Sequence, residues 1–309
     1  MTVASIDIGS NTVLLLIAKV KKDNNLLLPI QNYYRSPRIG AGIDYNRVIS
    51  DEAIYRLMNV LEEYREIISK FSCNKTLVVG TYSLRNARNS HIISRKIREL
   101  FGWELKIVTG EEEAALSFLG AAFPFYANNL CRVIDIGGGS TELIFGDSKK
   151  IIYKNSFNVG VVTLTEKFQK EFLSLNPNLV LIENYVKEVF SYKLYQSNRN
   201  YHTIAIAGTP TTLSCIKQNL KVYSEEKVEG SKLTKHDLIK MIEILKMMSP
   251  EQVKKRFGNV VSGREDVLLS GTIILKCLMD LLNTEELTVS AKGLRYGAII
   301  RYIMGVKLN

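Results

Sequence analysis

At 309 residues, 46% hydrophobic and 23% charged, the chain has the balance of a folded globular protein with room for two cores. Its formal charge of +10 favours a polyanionic ligand: nucleic acid, an acidic membrane surface or a phosphorylated small molecule. Cys73, Cys131, Cys215 and Cys277 lie far apart with no C-x-x-C pair. That excludes a disulfide framework or zinc ribbon and predicts buried free thiols in a reducing compartment.

Two apolar runs, residues 3–9 and 12–18, split by Gly-Ser-Asn, predict a strand, a tight turn and a second strand. A helix follows over Ser50–Phe71, with Ser50 as N-cap and Asp51 and Glu52 at its positive end. Ile54, Leu57, Met58, Leu61 and Ile68 form its apolar stripe. TLVVG then reads as a strand, SHIISRKIRELFG as a helix, ELKIV as a strand and GEEEAALSFLGAAF as a helix closed by Pro124. The second half opens with the strand CRVIDI, turns through glycines, and returns on LIFG and KKIIYKNSFN. Helices are expected at about 161–173 and 178–196, then a strand TIAIA that breaks at Gly208-Thr209. SPEQVKKRF is a short helix with Ser249 as cap and Pro250 in its first turn. A helix at about 265–282, the strand ELTVS and a last helix from Gly293 follow. The stretch VLLSGTIILKCLMDLL is cut by Lys276 and Asp280, so it reads as a core helix. With no signal-peptide pattern at the N-terminus, the expectation is a cytoplasmic protein with no membrane span.

Each half thus opens with a hairpin bearing D-I-G and goes on to mix strands with helices. A duplicated α/β architecture, with paired glycine turns facing a cleft, is the arrangement this order predicts. The boundary is placed near Phe123–Asn128, giving domains 1–123 and 124–309, with the last helix, about 297–309, set to pack back on the first domain.

Glycine lets the backbone approach a ligand closely, and successive N–H groups in such a turn make an anion-binding nest. DIGGGST offers Gly137, Gly138, Gly139, Ser140 and Thr141 in one curve, and DIGSNT offers Gly9, Ser10, Asn11 and Thr12. In AIAGTPTTLS, Gly208 and Thr209 stand where a strand gives way to a helix N-terminus, another place that welcomes phosphate. None of these turns fits the P-loop or dinucleotide fingerprint. Asp7 and Asp135 end equivalent strands beside the turns, where a carboxylate calls for a cation such as Mg²⁺ or a water partner, or caps its own turn. Glu142 follows on the outgoing strand. Glu111, Glu112 and Glu113 open a helix, where acidic residues are stabilising in themselves; one could instead face a ligand as a base for water. GTYSLRNARNS carries Arg85 and Arg88 in a polar loop, with guanidinium forks suited to phosphate. His91, His202 and His236 have no ligand spacing and read as surface or capping residues.

Taken together, DIGSNT, GTYSLRNARN, GEEEA, DIGGGSTEL, VGVVTLTE, AGTPTTL, REDVLLSG and SAKGLRYG resemble the exopolyphosphatase / guanosine pentaphosphate phosphohydrolase family (Ppx/GppA), from Asp7 to Gly297. The resemblance implies a short two-domain form without the helical extension of longer members. It also implies an actin-like, sugar-kinase-like fold: two ribonuclease-H-like α/β domains around a cleft. The implied activity is removal of terminal orthophosphate from inorganic polyphosphate, guanosine pentaphosphate (pppGpp) or both, with Mg²⁺ or another divalent cation. By motif position Glu113 matches the glutamate that orients or deprotonates the attacking water, and Glu142 a second catalytic carboxylate. Asp7, Asp135 and Glu142 match metal- or water-placing positions. Ser10, Asn11, Thr12, Arg85, Gly137 to Thr141, Gly208 and Thr209 fall on phosphate-contacting motifs, and Arg264 and Arg295 on basic positions near the substrate.

Three positions depart from the family pattern: Leu14 where a polar or basic residue is common, Thr163 where arginine is usual, and Tyr296 in place of an acid. None of them is Glu113, Glu142 or Asp135. The expected partner is a polyanionic phosphate, with no specific nucleic acid and no membrane, and a homodimer is left open. Rival readings are an actin-like ATPase or small-molecule kinase, and a polyphosphate or alarmone binder with weak turnover.

Overall fold

The computed structural model describes residues 1–21, 26–122, 130–147, 150–174, 177–191 and 201–305. The expected boundary at Phe123–Asn128 and the far end of the helix expected at 178–196 lie outside them. Two compact units divide the chain: Met1–Gly120 together with the residues from Gly293 onward, and Ala121–Lys292.

In chain order, unit 1 begins with β1 (Thr2–Ile8), β2 (Val13–Lys21), β3 (Leu26–Arg35), α1 (Ile43–Asn46) and α2 (Asp51–Lys70). It continues with β4 (Lys75–Gly80), α3 (Tyr82–Asn86), α4 (Ser90–Phe101), β5 (Leu105–Ile107) and α5 (Gly110–Ala122), whose last turn enters unit 2. Unit 2 holds β6 (Cys131–Ile136), β7 (Thr141–Gly146), β8 (Ile151–Phe157), α6 (Val161–Lys167), α7 (Gln169–Phe172) and α8 (Leu179–Ser191). Then come β9 (His202–Ile206), α9 (Gly208–Lys217), α10 (Glu225–Val228), β10 (Lys232–Thr234), α11 (Lys235–Leu245), α12 (Pro250–Phe257), α13 (Leu268–Leu281) and β11 (Glu286–Val289). The last helix, α14 (Leu294–Met304), belongs to unit 1.

The two sheets repeat one plan. Strand order β3-β2-β1-β4-β5 in unit 1 matches β8-β7-β6-β9-β11 in unit 2, where β10 adds an outer strand. In each, an antiparallel meander is followed by parallel additions beside its first strand. The hairpin turns match as well: Gly9 N donates to Thr12 O and Gly137 N to Ser140 O, both at 2.9 Å.

Alternation along β1 and β2 sends Ala4, Ile6, Ile8, Val13, Leu15 and Ile17 to one face, buried under Ile54, Leu57 and Leu61 of α2. Ser50 caps that helix, its Oγ accepting from Ala53 N at 3.2 Å. The opposite face carries Val3, Leu16, Ala18 and Val20, covered by Tyr296 and Ile299 of α14. There α14 crosses α5 with almost no gap: a Cβ built on Gly297 would lie 1.8 Å from Leu116 O, and one on Gly120 2.1 Å from Gly293 O. Tyr296, an acid in the family pattern, is therefore a buried core ring whose Oη accepts from Asn32 Nδ2.

Two expectations need correction. Cys73 is only half-buried, whereas Cys131, Cys215 and Cys277 are buried. Burial raises all four thiols, and Cys277 is pushed up to about 12. Since the thiolate is the nucleophile, brief alkylation of the native protein should label Cys73 first; equal labelling of Cys277, followed by mass spectrometry, would contradict this packing. His202 is also no surface cap. It lies in β9 with Nε2 3.0 Å from Thr288 Oγ1 on the neighbouring strand. Among the described residues no helix is long and apolar enough to cross a membrane.

Candidate functional site

In unit 1, α3 gathers the expected residues. It is only five residues long, yet it presents Ser83 to the first turn and Arg85 to α5. Ser83 Oγ donates to Ser10 Oγ at 2.6 Å, and both side chains are buried. From the other side Gly40 N donates to Ser10 O at 2.9 Å, and Arg38 N to Asn11 O at 3.2 Å. Arg85 Nη1 donates to Glu113 Oε2 and to Val108 O, each at 2.9 Å. The sequence reading had no signal for Ser83 or Gly40, because neither carries charge and α3 is too short for periodicity.

The three glutamates of α5 separate by role. Glu111 is exposed. Glu112 closes a reciprocal cap, accepting from Thr109 N while its own N donates to Thr109 Oγ1, both at 3.1 Å. Its carboxyl, also held by Lys106, lies below the usual glutamate range. Glu113 alone is buried, at 8% exposure, with Arg85 fixing one oxygen. An arginine-oriented carboxylate retains lone pairs for a water molecule.

Asp7 pairs in register with Leu14, and Leu14 with Tyr34, so these three share the sheet face that α14 covers. Arg295 is buried at the start of that helix, its guanidinium 5.6 Å from the Tyr296 ring centroid. The equivalent register in unit 2 pairs Asp135 with Glu142. Leu14 thus stands where the second hairpin has Glu142.

In unit 2 the glycine turn is locked from one side. Val161 N donates to Gly137 O at 3.0 Å, and Val162 N to Gly138 O at 2.7 Å, so the carbonyls of the turn face the start of α6. No cis peptide occurs among the described residues, and a trans peptide points the next N–H opposite to the carbonyl. The amides of Gly138 and Gly139 therefore face away from α6. Gly160 is what permits this approach, since a Cβ there would lie 2.5 Å from Gly138 O. Thr163 serves the same lock by accepting from Gly160 N at 2.9 Å, which explains a threonine at this family-variant position.

The hydroxyls expected to contact phosphate are turned inward. Thr141 Oγ1 donates to Val159 O at 2.6 Å. Ser140 and Ser156 donate to Glu142 Oε1 at 2.7 and 2.6 Å, holding a carboxylate that is 1% exposed. Beside α9, Arg264 packs directly on Gly208: a Cβ there would lie 2.3 Å from its Nε. Thr209 is buried against Gly271. The structure thus brings Arg264, Gly208 and the first turn of α9 together, and separately Ser140, Glu142 and Asp135.

Among the described residues no group of three or more His, Cys, Asp or Glu side chains could hold a metal by itself. The cross-strand pair Asp135 and Glu142 instead suits an ion that arrives on phosphate, since Mg²⁺ commonly takes one or two carboxylates plus substrate oxygens.

Comparison with known proteins finds relatives along nearly the whole chain. The chain is 31% identical over 309 residues to the bifunctional 3-dehydroquinate synthase/phosphatase of Fusobacterium nucleatum, covering 96% of this chain but only 46% of that relative. It is 28% identical over 306 residues to exopolyphosphatase 2 of Mycobacterium tuberculosis, covering 93% of this chain and 94% of that one. The solved Ppx/GppA enzyme of Aquifex aeolicus superposes with a TM-score of 0.81 at 29% identity, over 97% of this chain and 99% of that one. With the model of the Ppx/GppA phosphatase family matching residues 16–304, the chain belongs to that family.

Proposed function

We propose that the protein releases terminal orthophosphate from a polyphosphorylated substrate, inorganic polyphosphate or guanosine pentaphosphate, by in-line attack of water. The orientation of the glycine turn carries this reading: with the carbonyls of Gly137 and Gly138 taken by α6, the next two amides are left to meet an anion. In phosphoryl transfer there is little covalent work for the protein, and most of the catalysis is positioning and electrostatic stabilisation.

Glu113 is the group that orients the attacking water and takes its proton, with Arg85 fixing the rotamer. Gly138, Gly139 and the start of α9 with Arg264 hold phosphate oxygens. Glu142 keeps Ser140 and Ser156 in place beside the glycine turn. Asp135 and Glu142 would hold a divalent cation in unit 2, and Asp7 stands at the equivalent place of unit 1. When bound, such a cation neutralises charge on the phosphoryl oxygens.

Orthophosphate release from long polyphosphate, guanosine pentaphosphate and ATP, side by side with Mg²⁺ or EDTA, tests the proposal. Release from one or both of the first two, lost in EDTA, is expected. Dominant ATP cleavage would move the assignment to an actin-like ATPase or kinase.

A further inference from the structure

We propose that Arg47 and Arg88 form a distal anion subsite on unit 1, which holds phosphates of a long chain beyond its reacting end. The inference rests on the substrate class proposed above and adds to it a preference for long chains.

The segment from Arg38 to Arg47 spans α3. At its start, Arg38 N and Gly40 N donate to the carbonyls of Asn11 and Ser10 in the first turn. At its end, Arg47 O accepts from Arg88 N at 2.8 Å, just past the far end of α3. A second clasp fixes the same junction: Asn89 Oδ1 accepts from Ile49 N at 3.1 Å, and Asn89 Nδ2 donates to Ile49 O at 2.8 Å. Arg47 is held in the left-handed region at φ 50°, an uncommon conformation for a residue with a long side chain.

The result is a pair of exposed arginines on a braced backbone, three residues along the chain from Arg85 in the case of Arg88. Among the described residues neither Arg47 nor Arg88 has an ion-pair partner, whereas Arg35, Arg65 and Arg85 each have a glutamate. The one acidic side chain of the crossing segment, Asp44, accepts a hydrogen bond from Tyr82 Oη at 2.7 Å. Two unneutralised guanidinium groups, continuous with the loop that buttresses Ser10, suit further phosphates of a linear polyanion. The proposal requires that a short tripolyphosphate, held at its reacting end, stops short of them.

The test is equilibrium binding of long inorganic polyphosphate and of tripolyphosphate, in EDTA, to the full chain and to its Arg47→Ala/Arg88→Ala variant. The backbone clasp uses main-chain atoms and Asn89, so alanine leaves it intact. The expected result is about a tenfold loss of affinity for the long chain, with a flatter salt dependence, and less than twofold for tripolyphosphate. A control, Lys96→Ala/Arg98→Ala, removes the same charge from α4 and should leave the long-chain preference in place.

Equal loss for both ligands, an equal effect of the control, or no long-chain preference in the parent would each overturn the subsite. Orthophosphate release measured in parallel separates the two proposals. A parent that hydrolyses neither substrate, yet loses long-chain preference on Arg47→Ala/Arg88→Ala, sinks the hydrolase reading and leaves the subsite standing.

Discussion

Replacing Glu113 by glutamine should cut turnover by about 10²-fold or more while leaving fold and substrate binding in place. The amide has the shape of the carboxylate, and its oxygen can still accept from Arg85 Nη1, so the contact between α3 and α5 survives. What it loses is the capacity to take a proton from water. A hundredfold loss corresponds to about 2.7 kcal/mol of barrier, within the range of a positioned acid–base group. The neighbours provide an internal comparison. Glu112→Gln acts on the reciprocal cap with Thr109, so it should cost a fraction of a kcal/mol of stability and leave kcat within about twofold. Glu111→Gln should do neither. Steady-state orthophosphate release at saturating substrate checks all three, and near-normal turnover of Glu113→Gln would remove Glu113 from the mechanism.

Gly297→Ala should be the costliest single methyl in unit 1, at about 3 kcal/mol. The added carbon would lie 1.8 Å from Leu116 O and 2.7 Å from Leu116 C, which are backbone atoms of α5 and cannot rotate aside. Relief requires α14 to lift, and lifting α14 loosens Tyr296 and Ile299 from Val3, Leu16, Ala18 and Val20. For a unit of this size the melting temperature should fall by roughly 6–12 °C. Gly102→Ala is the matched comparison: φ there is 68°, but nothing lies within 4 Å of the new methyl. It should cost only about 1 kcal/mol, through the left-handed helix end alone. Calorimetry of both variants decides, and equal losses would contradict the tight crossing.

The duplicated plan was readable in two short words, DIGSNT and DIGGGST, because a strand end, a glycine and a hydroxyl leave few ways to turn. The long helices were readable from caps and stripes, as at Ser50. The third strand, β3, was not. Pro29 argues against a strand, and the chain tolerates it because β3 is an edge and Pro29 pairs beside the irregularity between Ile17 and Ala18. The helix α11 is absent from the expected elements although Leu238, Ile242 and Leu245 keep a helical spacing; β10 is too short to announce itself.

At the site, spacing could name three glutamates but not choose one, since a helix start is stabilised by any of them. The choice of Glu113 came from resemblance, and burial against Arg85 supplies its physical content. The partners of the hydroxyls were hidden for a related reason. Sequence shows that Thr141 and Ser140 can hydrogen-bond, while their partners, Val159 O and Glu142, depend on chain that folds back later.

The return of α14 to unit 1 has a consequence for synthesis. At roughly 5–20 residues per second, the ribosome makes β1 and β2 before unit 2 and their covering helix after it. Throughout the making of unit 2, the row Val3, Leu16, Ala18 and Val20 has no lid. The nascent chain therefore carries a sticky β-surface until unit 2 has been made, and unit 1 closes only after its neighbour.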